Sequence, residues 1–93
     1  MVGLLMLELY NNGTRSLKEK RRLLANLKAT LRREFNVAIA EIGEQDKWQR
    51  TKIAVVCVSN DASRNRGLLQ RIVHFVGKNR TWEIIDYRIE EVR

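Results

Sequence analysis

Residues 53–58 read IAVVCV, six apolar side chains in succession with no polar face among them. A run this short is not a helix buried all round. Bounded by the polar QRTK before it and SND after it, it marks a strand covered on both faces and flanked by neighbours. A central strand needs a sheet around it. The rest of a chain of 93 residues must supply the other strands and whatever covers them.

It does so in a readable order. In Val2 to Tyr10, Leu5, Leu7 and Leu9 point one way and Leu4, Met6, Glu8 and Tyr10 the other, which is a strand. Asn11-Asn12-Gly13 is turn chemistry, because Asn and Gly tolerate positive φ. Ser16 with Glu19 three residues on has the form of a capping box and starts a helix. Leu17, Leu24, Leu27, Leu31 and Phe35 form its apolar stripe, and it should end near Glu34 or Phe35. NVAIAEIG, Asn36 to Gly43, is a second strand, and QRTKIAVVCVS the third. Ser59, Asn60 and Asp61 offer N-caps for a second helix, whose inner face holds Leu68, Leu69, Ile72, Val73 and Val76. Thr81 to Ile89 is the last strand, with Ile85, Tyr87 and Ile89 on one side.

Strand, helix, strand, strand, helix, strand with right-handed crossovers folds as one α+β domain over residues 1–93. The expected architecture is a ferredoxin-like βαββαβ sandwich: a four-stranded antiparallel sheet with two helices on one face. The first and third strands are then central, and they are the most apolar ones. Their other face carries Leu4, Met6, Tyr10 and one parity of Ile53–Val58, and no helix covers it. A contiguous apolar patch of this kind marks an interface, so the expectation is a homodimer through the sheet or its edge.

Charge is distributed as unevenly as hydrophobicity. Arg15 to Arg33 holds eight basic residues against Glu19 as its one acid, which equals the whole-chain surplus of +7. Projected at about 100° per residue, Lys18, Arg21, Arg22, Lys28, Arg32 and Arg33 fill the flank opposite the leucines, with Ala25 and Ala29 among them. A solvated face normally mixes signs, and this one does not. The small alanines also let a phosphate backbone come close. The segment therefore reads as a polyanion-binding surface, nucleic acid before an acidic protein or a membrane surface, with a plain solvated face as the other reading. RNA-binding sheets of this fold stack bases on aromatics of the central strands, which IAVVCV lacks. Any RNA contact is expected to run through helix cations to phosphates, with little sequence specificity. Tyr10 and Tyr87 read as packing residues first, with base stacking at a sheet end as the other reading. Trp48, in the connector Gly43–Arg50, is a candidate anchor for a partner, with packing over the domain's own end as the other reading.

Other classes find less support. A single cysteine, Cys57 within the apolar run, and a single histidine, His74, allow no intramolecular disulfide and no multi-cysteine metal cluster. No cofactor or metal is expected. The opening MVGLLMLELY contains Glu8 and lacks a basic n-region, so it reads as a strand rather than a signal peptide. No apolar run reaches the ~20 residues of a membrane span, and a cytoplasmic location is expected. An acyl-phosphate hydrolase on this sandwich would use an Arg in the loop after the first strand and an Asn on a neighbouring strand. Arg15 and Asn60 are the available pair, but the glycine-rich phosphate cradle is missing.

SLKEKRR, FNVAIAE, QDKWQR and VSND, in that order, closely resemble the YlxP-like family of small bacterial proteins of unknown function. The likeness covers almost the whole chain. It implies a ferredoxin-like fold and genes that often lie beside those of ribosome maturation and translation, a ribosome-binding factor among them. It supplies no catalytic residues. The expectation is a non-enzymatic RNA- or ribosome-binding accessory using Arg15, Lys18, Arg21, Arg22, Lys28, Arg32 and Arg33. The alternative is a homo-oligomeric interaction module acting through Leu4, Met6, Tyr10 and Trp48.

Overall fold

The computed structural model describes residues 1–92 and follows the expected order. β1 is Val2–Tyr10, α1 Leu17–Glu34, β2 Ala38–Gly43, β3 Arg50–Val58, α2 Ala62–Gly77 and β4 Glu83–Val92. The strands form one antiparallel sheet in the order β2-β3-β1-β4. The two most apolar strands are therefore inside. Alternation sends Leu5, Leu7 and Leu9 of β1 and Ile53, Val55 and Cys57 of β3 into the core, where Leu24, Leu27 and Leu31 of α1 and Leu69, Ile72 and Val76 of α2 meet them. Trp82, just before β4, is the largest fully buried side chain.

Both helices begin on side-chain caps. Ser16 Oγ accepts the Glu19 amide at 3.1 Å, and Asp61 Oδ1 accepts the amides of Ser63 and Arg64 at 2.9 and 3.4 Å. α1 stops at Phe35, whose backbone is already extended while its N–H still reaches Leu31 O at 2.8 Å.

The last strand differs from the sequence pattern. It starts two residues later than expected and runs on to Val92. Glu8 pairs with Asp86 and Leu9 with Ile84, so Ile85 has no partner and forms a bulge. The bulge changes the parity. Ile84, not Ile85, packs on the core beside Ile89, while Ile85 and Tyr87 are exposed.

Candidate functional site

The basic segment is built on α1 and on the turn that enters it. Arg15, Lys18, Arg21 and Arg22 are exposed and Lys28 is half-buried. Among the described residues none of these five has a carboxylate within salt-bridge distance. They are outward cations whose charge is not neutralised by the fold.

Arg32 and Arg33 are different. Arg32 Nη2 donates to Ile39 O at 3.1 Å, closing off a carbonyl of the edge strand β2. Arg33 lies 3.8 Å from its neighbour Glu34, with both side chains largely in solvent, so the pair counts for little. The expected surface is thus concentrated in the first turns of α1.

One cation of the segment turns inward. Lys20 is 1% exposed. Its Nζ lies 3.1 Å from Glu41 Oε2 and donates to Glu44 O at 2.5 Å. Thr51 Oγ1, also buried, donates to the same Glu41 oxygen at 2.7 Å. On the helix projection Lys20 falls between Leu27 and Leu31, inside the apolar stripe. That phase was the available signal.

This network joins α1 to the connector between β2 and β3, and further bonds tie the connector to the turn after β1. Thr14 Oγ1 donates to Trp48 O at 2.6 Å, Asn11 N to Gln49 O at 2.8 Å and Gln49 Nε2 to Asn12 O at 3.2 Å. Glu44 holds a φ of 62° within it, in the left-handed region that non-glycine residues rarely adopt. A hydrogen bond from Lys47, 2.8 Å away, holds the Glu44 carboxyl below its ordinary pKa, with Arg50 and Lys52 adding smaller attractions against some desolvation. The connector is pinned by its backbone, and the Trp48 side chain stays 54% exposed. With Tyr10, Lys47, Gln49 and Arg50 it lines a shallow hollow of about 400 Å³.

The uncovered sheet face is apolar at its centre, as the alternation required. Leu4 pairs with Val56, Met6 with Ala54 and Val2 with Val58. Ala38 and Ala40 of β2 extend the same patch, and Val58 is 72% exposed. Glu8 and Lys52 form a charged end, and Arg88 and Glu90 of β4 flank the patch opposite Met6 and Leu4.

Arg15 and Asn60 do not share a site. Tyr10 pairs with Arg50 and Val2 with Val58. The turn carrying Arg15 thus lies at one end of the sheet and Asn60 at the other, about 27 Å apart at the usual rise per residue. Cys57 is a buried core residue whose thiol pKa is raised by desolvation, partly offset by a backbone hydrogen bond from Gly3. Among the described residues no cluster of His, Cys, Asp and Glu is arranged to hold a metal, and no helix is long and apolar enough to cross a membrane.

A βαββαβ domain with a basic first helix, a pinned connector and an open apolar sheet face is a small α+β module whose surfaces, rather than a cleft, are its distinctive features. The chain belongs to the family described as "Protein of unknown function (DUF503)", whose model matches residues 2–89. It is 38% identical over 76 residues to the uncharacterised protein YlxP of Bacillus subtilis (strain 168), covering 82% of this chain and 83% of that one.

Proposed function

We propose that this protein is a non-enzymatic, cytoplasmic RNA- or ribosome-binding accessory of ribosome maturation or translation, contacting phosphates through α1. The observation that carries the reading is the group Arg15, Lys18, Arg21, Arg22 and Lys28, directed away from the core with none of them in a salt bridge among the described residues. Contacts of this kind fix position rather than read sequence. Engaging about four or five phosphates gives a log–log salt slope of roughly −3 to −4.

Co-sedimentation with ribosomal subunits over a salt series tests it, comparing the native chain with the Arg21→Glu/Arg22→Glu variant. Salt-sensitive binding to one subunit, lost in the variant, is the expected result. Equal binding by both proteins, or none by either, overturns it and leaves α1 a solvated face.

The open sheet face favours a second reading, a homodimer. Val58 at 72% exposure sits in a patch with Leu4, Met6, Ala54 and Val56 that no helix covers, and an isologous pairing of two such faces would bury it. Light scattering distinguishes the two. The dimer reading expects a dimeric mass that Leu4→Ser shifts toward the monomer, and a native monomer at high micromolar concentration removes it.

A further inference from the structure

α1 ends beside α2, and the junction forms a shallow, open groove of about 420 Å³. Its apolar walls are the rings of Phe35 and Phe75, packed edge to face with centroids 5.6 Å apart. Gly67, Arg71, His74 and Lys78 run along one stripe of α2 at helical spacing and complete the lining with Gln70. No acidic residue lines it, and neither Arg71 nor Lys78 is in a salt bridge among the described residues.

Gly67 gives the groove its second, independent mark. A glycine inside a helix costs roughly 0.5–1 kcal/mol relative to alanine. Gly3 is the contrasting case, because a Cβ there would meet Asn65 Cβ at 3.0 Å. A Cβ on Gly67 would meet no atom within 4 Å. The fold does not require the bare backbone there, so the close approach that it permits is open to something outside the chain.

Bare backbone at Gly67, a pair of partly buried phenyl rings, a neutral amide and a basic rim suit a ligand that is planar and apolar in one part and anionic in the other. The geometry points to an unpaired nucleotide of single-stranded RNA. Its base lies over Gly67 against the phenylalanines, Gln70 meets the base edge, and Arg71, His74 and Lys78 take the flanking phosphates. A base stacked on aromatic side chains is a sequence-tolerant contact, available to a single strand and closed to a duplex. This inference rests on the RNA-binding reading of α1 and adds a preference for unpaired RNA.

The test is fluorescence anisotropy with a labelled single-stranded oligoribonucleotide and with a duplex of the same sequence. The proteins are the native chain, Gly67→Leu, and Arg21→Glu/Arg22→Glu. Leucine is a good helix former with open space around its Cβ, so the thermal midpoint of Gly67→Leu should stay the same or rise. The native protein should prefer the single strand. Gly67→Leu should weaken that binding about tenfold or more and leave duplex binding unchanged. Gly67→Leu binding both forms like the native chain, while the arginine variant binds neither, overturns the groove and spares the α1 reading. No RNA binding by the native chain overturns both. A synthetic glutamate-rich peptide carrying one tryptophan, bound by the native chain and lost in Gly67→Leu while RNA binding is untouched, overturns the nucleotide in favour of a protein segment.

Discussion

The two βαβ halves of this domain solve one problem with different chemistry. Each helix puts a polar residue into the apolar interface near its start. In α1 it is Lys20, charged and paired with Glu41. In α2 it is Asn65, neutral and 4% exposed, whose Nδ2 donates to Met1 O at 3.2 Å. Lys20 fixes the connector that carries Trp48; Asn65 fixes the start of β1. The α1 half also holds Glu44, the described non-glycine residue with positive φ, and the α2 half holds none. Buried charge and backbone strain gather in the first half, whereas the polar residue buried in the second half is neutral and its backbone is relaxed.

The sharpest way to break the comparison is to remove one charge. Lys20→Met leaves Glu41, 18% exposed, without its cation, and should cost about 3 kcal/mol by urea denaturation. Adding Glu41→Leu should recover most of that, because no unpaired charge remains. If the single variant loses less than about 1 kcal/mol, the pair is not the clamp described here.

Lys20 also shows where sequence reading stops. The strands, caps and central positions were legible because they are local: a period of two in β1, a Ser–Glu spacing at α1, an unbroken apolar run in β3. The outward cations were legible from the same projection. Lys20 stands apart from them on that projection, but a lysine is rarely buried, and the partner that makes its burial tolerable sits on β2. Ile85 departs from the alternating pattern for a related reason, since a bulge depends on register with β1 and leaves no local mark. The groove beside Gly67 requires Phe35 and Phe75 to meet, which only the packing of α1 on α2 brings about.

The α2 half should respond to shape before polarity. Gly3→Ala places a Cβ 3.0 Å from Asn65 Cβ, 3.1 Å from Leu69 Cδ1 and 3.2 Å from Cys57 Sγ. Overpacking of this kind should cost about 2 kcal/mol. Asn65→Ala removes one neutral hydrogen bond and leaves a small void, for roughly 1–1.5 kcal/mol in the same denaturation experiment. A loss from Asn65→Ala equal to that from Lys20→Met would erase the contrast between a neutral and a charged device.

The smallest effect is the most informative about strain. Glu44→Gly relieves a left-handed backbone and should stabilise by up to about 1 kcal/mol. It also removes a carboxylate whose pKa is lowered, chiefly by the hydrogen bond from Lys47. A lowered carboxyl pKa stabilises the fold above the unfolded-state value, and that contribution is lost as pH falls through the folded-state value. At neutral pH the variant therefore gains the backbone term and forfeits the pairing. At acid pH the native chain has already lost the pairing, and the backbone term stands by itself. The advantage of Glu44→Gly should grow as pH falls from neutrality through the carboxylate range. Thermal melts of both proteins across that range check it, and an advantage that shrinks toward acid would mean that the connector holds Glu44 for its charge rather than in spite of its backbone.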